Sequence, residues 1–535
     1  MRVSKQADRG VDLAARPARC WWFVVVSGLV GGCLGALLMA WSSSPNTLVG
    51  LQALVTSPAL ALRAAQMRST LPRLQLDVGF SDYQRLVNAA AEGLGAEPVC
   101  VPAAVAGDSA SVAARVCSEE ARFVDGNHQT PALSLSVEDG GTLLGMRRAS
   151  LVPATPDAAL VQGYFQALET AGLPVPEFRV VGMSVNGSDW GLYAVEELVS
   201  FNGLPGSAGG DYDLVAAFEA PARIEGLPAA PGSSFAAAEL RIGSAVDEAP
   251  GDWESAAQRD PELAAMGAAA ADRVEGLLSG ALLSSEVLDT SLYSKYLALT
   301  CLWRGVLMPD WQVFRLAYSS DSGRFVPLAA AARHSGQTPL AVQFYDDPEL
   351  QRAYVQALSA YSDSDYVDAS LEDSDLAATY LMLGGTARGS GAIQDVLSTN
   401  RAVMRAFITP SSSVRVSVLD DDGYLQLAFE ATEPYPIEVQ ALELGEQGVV
   451  TLKHEWILEP SGDAALVESP GIVLRARTGA EPVVLRMRIP LDALPPAASR
   501  PGLELSVITC VWGLDGRIPV RAATSGIGRG VRGGY

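Results

Sequence analysis

The spacing of hydrophobic and polar residues changes near residue 412, and this change divides the chain into two parts. Before that point, stretches that alternate like β-strands are mixed with stretches that carry apolar residues at helical spacing. The alternating stretches are 74–78, 132–137, 178–185, 212–218, 314–318 and 324–328. The helical stretches are 81–94, 155–170, 252–283, 292–306, 347–383 (as two helices) and 393–407. The pattern predicts an α+β domain over residues 74–410.

After residue 412 the helical spacing disappears, and short apolar runs recur at even intervals. They are 414–419, 425–431, 437–444, 449–456, 472–477, 483–489 and 503–510. Short strands of this kind with turn residues between them are typical of a β-sandwich, so we expect one over residues 411–525. The Gly- and Arg-rich residues 526–535 are expected to be a disordered tail.

The segment 20–41 has the properties of a membrane-spanning helix. It contains no charged side chain, and at about 1.5 Å per residue it spans the roughly 30 Å hydrocarbon core of a bilayer. Trp21, Trp22 and Trp41 lie at its ends, where an aromatic belt is expected. Basic residues within 1–19 predict a cytoplasmic tail, so the body is expected on the outer side of the cytoplasmic membrane, anchored by this single span.

Two alternatives to an uncleaved anchor stay open. Small residues around Ala40-Trp41-Ser42 fit a cleaved signal peptide, and Cys33 fits a lipoprotein signal. The apolar run continues past Cys33 to Trp41, which favours the anchor. A helical stalk or linker is then predicted over residues 42–73.

A β-hairpin is predicted around Asn186-Gly187. One strand covers 178–185, and the second passes Tyr193 and ends at Glu196 and Glu197. Asn-Gly between alternating apolar runs favours this turn because both central residues must adopt positive φ.

Several short sequence motifs follow one another along the chain, before and after this hairpin. They are Gly145-Met146-Arg147-Arg148-Ala149-Ser150-Leu151, the hairpin itself, Lys295-Tyr296-Leu297-Ala298-Leu299, the turn and strand 321–327, Tyr345-Asp346-Asp347-Pro348-Glu349-Leu350, and Asn400-Arg401. The ordered set resembles the spore-coat protein H (CotH-type) kinase-like family over residues 74–445. The resemblance implies a bilobal kinase-like domain and, in active members, ATP-dependent phosphotransfer with magnesium.

The sequence departs from that family where phosphoryl transfer needs cations and metal-binding carboxylates. Residues 328–333 read LAAAAR where the family has an Asp, and Arg333 would repel magnesium. Asp310 stands where the family has a His and an Asn upstream of a strand. No lysine lies between the membrane segment and Lys295. A phosphate-binding cation in the first lobe would therefore be Arg147 or Arg148, since arginine binds phosphate bidentately.

These comparisons give six candidate ligand-binding residues and neither a catalytic nor a metal-binding residue. The candidates are Arg147, Arg148, Asn186, Glu197, Asp310 and Arg333. The alternative interpretation is structural: the two arginines line a solvated strand, Asp310 is a turn or cap residue, and Glu197 begins the next segment. Both interpretations stay open on the sequence alone.

Composition excludes one class of partner and leaves one cysteine question open. The net charge of −23 disfavours nucleic acid, whose phosphates need a basic surface. No Cys-x-x-Cys occurs, and the three histidines lack metal-site spacing. Cys100 and Cys117 form either a disulfide, if the body is extracytoplasmic, or two separate buried thiols.

The leading expectation is a membrane-anchored pseudokinase that acts without a cofactor as a binding or scaffold module in cell-envelope or surface-polymer assembly. The expected partners are the membrane, through the N-terminal helix, and an envelope protein or polysaccharide. One alternative is an active, atypical phosphotransferase that uses ATP, magnesium, Asp310 and an unaligned carboxylate such as Asp213 or Glu219. The other is a carbohydrate-binding envelope protein acting through exposed aromatic residues of the β-sandwich.

Overall fold

The computed structural model describes most of the chain beyond residue 57. The described residues are 58–92, 99–107, 111–118, 131–138, 141–198, 214–219, 239–244, 261–305, 315–329, 347–372, 374–385, 390–409, 414–421, 423–431, 435–444, 448–458, 472–474, 483–495, 505–514 and 518–521. The predicted tail 1–19, membrane helix 20–41, Asp310, Arg333 and the tail 526–535 lie outside them. Among the helices in these ranges, none is long and apolar enough to cross a bilayer.

Helices and strands alternate up to residue 408, and strands dominate afterwards. The helices are α1 (Pro58–Thr70), α2 (Phe80–Glu92), α3 (Asp157–Thr170), α4 (Pro261–Ser279), α5 (Ser284–Val287), α6 (Thr290–Arg304), α7 (Pro348–Tyr361), α8 (Ser364–Glu372), α9 (Ser374–Met382) and α10 (Ser390–Ile408). The strands before residue 330 are β1 (Arg73–Val78), β2 (Cys100–Ala106), β3 (Val112–Ser118), β4 (Leu133–Val137), β5 (Arg148–Pro153), β6 (Phe178–Val185), β7 (Ser188–Glu197), β8 (Leu214–Glu219), β9 (Glu239–Ser244), β10 (Arg315–Ser319) and β11 (Arg324–Leu328). Those after residue 410 are β12 (Val414–Asp421), β13 (Tyr424–Ala431), β14 (Ile437–Glu443), β15 (Val449–Thr451), β16 (Ile472–Leu474), β17 (Val483–Pro490), β18 (Ser506–Val511) and β19 (Ile518–Arg521).

The first seven strands form a closed barrel in the order β1-β2-β3-β4-β5-β7-β6. Neighbouring strands are antiparallel except β1 and β6, whose parallel pairing closes the barrel. Side chains alternate between solvent and interior along β1, as a half-buried strand requires. The interior is filled by an apolar cluster drawn from every strand, including Leu76, Val116, Leu135 and Val181. The barrel is therefore a packed core with two polar ends.

The two barrel ends carry different chemical groups. We call one the hairpin end: here lie the last residue of β1, the start of β2 and the Asn186-Gly187 turn. The other is the junction end, where β5 starts and β7 ends, because Ala149 pairs with Glu197. Helix α2 covers the hairpin end, since it contacts β2 and β3 and inserts Leu86 into the barrel core.

A helical layer follows the barrel and packs around α6. Helix α3 approaches α6 closely at Gly163, where an added Cβ would lie 2.4 Å from the Trp303 ring. The next residue of α3 is Tyr164, whose buried hydroxyl lies 2.9 Å from Thr300 Oγ1 of α6. Burial raises the pKa of Tyr164 to about 12, so the phenol stays neutral. A sheet ordered β11-β10-β8-β9 borders this layer.

The C-terminal strands form two sheets that share one apolar cluster with the helical layer. The first sheet has the order β12-β13-β17, and the second has β15-β14-β18-β19 with β16 paired to β14. Across the predicted boundary at residue 410, Phe407 of α10 meets Tyr435 edge-on at 5.6 Å. Arg352 of α7 stacks over Trp512 at 5.2 Å. The apolar core is therefore continuous over this boundary.

The structure corrects several local expectations. Residues 100–118 form two strands that the sequence pattern did not predict, β2 and β3, whose directly opposed Cys100 and Cys117 form a disulfide. Residues 142–151 do not form one continuous strand. Instead, Leu143 and Met146 exchange two backbone hydrogen bonds across a tight turn before β5 begins. Helix α2 begins at Phe80 and ends at Glu92, whereas the predicted helix covered 81–94.

Two further differences concern helix and strand ends. The stretch 347–383 contains three helices, because α8 and α9 are separate. The strand predicted over 449–456 ends at Thr451, and a short 3-10 helix follows at His454–Trp456. Strands β9 and β19 were not predicted.

The close approach of α3 to α6 predicts a position where even alanine is too large. Gly163→Ala should lower the free energy of unfolding by about 1–3 kcal/mol, because the added methyl overlaps the rigid Trp303 ring. Gly391→Ala in α10 is the matched control, since an added Cβ there meets nothing within 4 Å. The control should be neutral or stabilising by up to about 1 kcal/mol. Equal stability of the two variants in denaturant unfolding would contradict this packing.

Candidate functional site

The junction end of the barrel brings together three of the predicted residues: Arg147, Arg148 and Glu197. Ala149 pairs with Glu197, and the backbone N–H of Leu198 donates to the Arg148 carbonyl at 2.9 Å. Both arginine side chains are exposed, whereas Glu197 is half-buried. The end therefore presents cations to solvent beside a partly desolvated carboxylate.

A tight turn delivers the two arginines to this position. Leu144 and Gly145 both have positive φ, at 55° and 90°, as the two central residues of a type I′ turn require. Leu143 and Met146 on either side are buried in the barrel core. The segment 145–151 thus anchors its apolar residues inside and leaves Arg147 and Arg148 at the rim.

Glu197 sits in an environment that disfavours its charge. Burial raises the pKa of its carboxyl, and the neighbouring Glu177 charge adds to the rise. A hydrogen bond from the Glu177 backbone N–H to Glu197 Oε2, at 3.3 Å, acts in the opposite direction. The Glu197 backbone N–H in turn donates to the Glu177 carbonyl at 2.8 Å. Glu197 therefore joins the end of β7 to the start of β6.

The sheet register adds one residue that the sequence analysis missed. Arg115 pairs with Ser136, and Ser136 pairs with Arg148, so the three lie in one row across β3, β4 and β5. Adjacent strands lie about 4.8 Å apart, which sets the two arginine Cα atoms roughly 10 Å apart. Within the described part of the chain, neither Arg115 nor Arg148 makes a side-chain hydrogen bond or ion pair. The sequence feature that could have identified Arg115 is its place among Ala113, Arg115 and Cys117, which alternate along one face of a strand.

Asn186 does not join this group. Its φ is 50°, its N–H donates to the Leu76 carbonyl at 2.8 Å, and its Oδ1 accepts from the Val78 N–H at 2.8 Å. These bonds tie the hairpin to the end of β1. Strand β7 separates Asn186 from Glu197 by about 30 Å at roughly 3.3 Å per residue. Asn186 therefore lies at the hairpin end and has a structural role there.

Asp310 and Arg333 lie outside the described residues, as does Asp213. Glu219 ends β8. Within the described ranges, no group of three or more His, Cys, Asp or Glu side chains is close enough to share a metal ion.

Other polar residues of the motif set cap helices. Lys295 Nζ donates to the carbonyl of Ala171, which ends α3, at 3.4 Å. Asn400 Nδ2 donates to the Leu302 carbonyl in the last turn of α6 at 2.8 Å. Arg401 Nε donates to the carbonyl of Ser362, which ends α7, at 2.8 Å. Each donor satisfies a carbonyl that a helix end leaves open.

Asp347 is the buried acidic member of the motif set. Its Oδ1 accepts from the backbone N–H groups of Glu349 and Leu350 at the start of α7. Its Oδ2 accepts from the Ser285 N–H at the start of α5. One carboxylate therefore caps two helices, and both of its oxygens are engaged.

Comparison with known proteins adds no relative. No protein-family model matches the sequence, and no curated protein matches it. The resemblance to the CotH-type family stays a prediction that rests on the ordered motifs.

The bonds of Asn186 predict that its replacement affects folding. Asn186→Ala should lower the free energy of unfolding by about 1–3 kcal/mol, because it removes the acceptor for the Val78 N–H and places alanine at positive φ. Asn186→Asp keeps an acceptor and tolerates this φ, so it should stay close to the parent protein. Thermal and urea unfolding measure both variants, and a stable alanine variant would disprove the structural role.

The raised pKa of Glu197 predicts a pH-dependent stability. A carboxyl whose folded pKa lies above its unfolded value stabilises the fold when protonated, and that contribution is lost as pH rises through the folded pKa. Glu197→Gln retains an acceptor for the Glu177 N–H without the charge. It should therefore raise the unfolding temperature at pH 7.5, and the gain should shrink towards pH 4. A gain that is constant over this range would show that desolvated charge is not the cause.

Proposed function

We propose that this protein is a membrane-anchored, extracytoplasmic binding or scaffold module with a CotH-like, non-catalytic domain, acting in cell-envelope or surface-polymer assembly. Its body would be held at the outer side of the cytoplasmic membrane by residues 20–41. No cofactor is needed for this role.

The observation that carries the proposal is the use of the motif residues. Lys295, Asp347, Asn400 and Arg401 each bond a helix end, and Asn186 bonds β1. Polar residues that bring the sequence close to a phosphotransferase family thus maintain the architecture of this chain. Motif residues are expected to have such structural roles when a protein retains a fold but loses the catalytic chemistry of its site.

A second observation supports binding. We use the name arginine surface for Arg115, Arg147 and Arg148, which are all exposed near the junction end. Guanidinium groups match phosphate geometry with two parallel hydrogen bonds, so the arginine surface suits a phosphate-bearing ligand or partner. Ser136 between two of the arginines supplies a hydroxyl that can bond the same ligand.

The disulfide supports the proposed location. Bonds between cysteines persist in oxidising compartments outside the cytoplasm and are rare inside it. Cys100 and Cys117 are bonded between β2 and β3, in the domain that follows the proposed anchor.

Assays of phosphate transfer and of phosphate binding distinguish the proposed binding module from an active kinase. Full-length protein in detergent should incorporate no label from γ-labelled ATP with Mg²⁺ or Mn²⁺, either into itself or into an envelope extract. ATP without metal should raise its unfolding temperature. The double substitution Arg115→Gln/Arg148→Gln should abolish that rise, because it removes two guanidinium groups from the arginine surface.

Arg68→Gln is the matched control, since Arg68 is an exposed arginine on a different element, α1. It should leave the ATP effect unchanged. Covalent labelling would favour the phosphotransferase instead. Loss of the ATP effect in the control as well would make the binding a general charge effect and reject the arginine surface.

A further inference from the structure

The hairpin end of the barrel carries a group of aromatic side chains near solvent. Phe80 is 76% exposed and begins α2. Tyr83 lies three residues later, hence on the same face of the helix. The Tyr83 ring meets the Trp190 ring of β7 with centroids 6.2 Å apart, and both residues are half-buried. We call Phe80, Tyr83 and Trp190 the aromatic platform.

A β-bulge places Trp190 at this end. Met183 pairs with Gly191 and Ser184 pairs with Asp189, so Trp190 is the extra residue between the two pairs. Gly191 has φ of 92°, and its N–H donates to Asp189 Oδ1 at 2.9 Å. Bulges of this kind redirect a side chain without ending the strand. The bulge therefore explains how Trp190 reaches Tyr83 across the barrel end.

The aromatic platform stands on a rigid base. The Trp190 ring lies 6.5 Å from the buried Tyr193 ring, whose hydroxyl donates to the Pro131 carbonyl at 3.2 Å. Leu86 of α2 is buried in the barrel core and fixes the helix that carries Phe80 and Tyr83. Rings fixed in this way lose little conformational freedom when a ligand stacks on them.

Polar groups adjoin the aromatic platform. Asp189 is exposed next to Trp190, and Asp82, next to Tyr83, forms an ion pair with Arg85 at 3.2 Å. Asn186 is exposed on the hairpin two residues before Ser188 begins β7, and its Oδ1 accepts from the Val78 N–H, which leaves the amide N–H₂ as its donor group. Carboxylates accept hydrogen bonds from hydroxyl groups, and an amide N–H₂ donates to them.

We propose that the aromatic platform binds a neutral polysaccharide chain. A sugar ring presents C–H groups on its faces and hydroxyl groups around its edge. The faces can stack on aromatic rings, and the hydroxyls can bond Asp82, Asp189 and the Asn186 amide. The site lies on the barrel, away from the β-sandwich, and is independent of the arginine surface.

Electrostatic repulsion favours a neutral glycan over two other ligands that an exposed aromatic patch could bind, an anionic bilayer and a second copy of this chain. The chain carries a net charge of −23. An anionic bilayer would meet the exposed Asp189 carboxylate, and the negative net charge of the chain opposes its approach. A second copy would bring two Asp189 carboxylates together in a symmetric contact. A neutral glycan has no such cost.

Retention by insoluble polysaccharides tests the proposal. Full-length protein in a detergent without a sugar headgroup is mixed with purified cellulose, chitin and curdlan, and the bound fraction is measured. At least one polymer should retain the protein. Phe80→Ala should weaken that retention about three- to tenfold, the range expected for one aromatic contact. Because Phe80 is exposed, the unfolding temperature of the Phe80→Ala variant should equal that of the parent protein.

Three variants separate ring stacking from other effects. Phe80→Tyr keeps the ring and should bind like the parent, whereas Phe80→Leu keeps only an apolar side chain and should bind as weakly as Phe80→Ala. Leu62→Ala is the matched control, because Leu62 on α1 is 70% exposed and lies on another element. It should bind like the parent.

Several results would overturn the proposal. These are retention by none of the three polymers, full binding by Phe80→Leu, or an equal loss in Leu62→Ala. Phe80-dependent binding to vesicles containing phosphatidylglycerol without polysaccharide binding would assign the patch to the membrane. A Phe80-dependent dimer in sedimentation would assign it to a second copy. Arg115→Gln/Arg148→Gln should leave retention intact, so failure here and failure of the proposed function are distinguishable.

Discussion

The parallel pairing of β1 with β6 closes the barrel, and the two barrel ends at which the described candidate residues lie result from that closure. Without that pair, β6 and β7 would end an open sheet, and Asn186 could not reach the backbone of Leu76 and Val78. Closure also gives the barrel two ends that carry different exposed side chains. The arginines and Glu197 are collected at one, and the aromatic rings at the other. The apolar interior between them keeps the two ends chemically independent.

The helical layer is stabilised by a different interaction, in which polar side chains of one element form hydrogen bonds with the ends of helices. Helix α10 donates to the carbonyl ends of α6 and α7 through Asn400 and Arg401. Asp347 does the same for the amide ends of α5 and α7. Such bonds fix the relative positions of short helices that would be marginal alone. They also remove these side chains from the set that could act on a ligand.

The sequence predicted those elements whose local signals agree with their final environment. The hairpin at Asn186-Gly187 is confirmed because Asn-Gly and the flanking alternation both specify it. Strands β2 and β3 were missed because their apolar residues are small and interrupted by Pro102 and Arg115. The row formed by Arg115, Ser136 and Arg148 follows only from strand register, which no local pattern encodes. The same holds for Tyr83 and Trp190, which are distant in sequence and meet only after closure.

Barrel closure also has a consequence for biosynthesis. Val78 and Asn186, which bond at the closing seam, are separated by 108 positions in the chain. At roughly 5–20 residues per second, β1 is synthesised about 5–20 s before its parallel partner. During that interval β1 has one unpaired edge, a known template for intermolecular pairing. A chain of this design would benefit from a holding chaperone until β6 emerges.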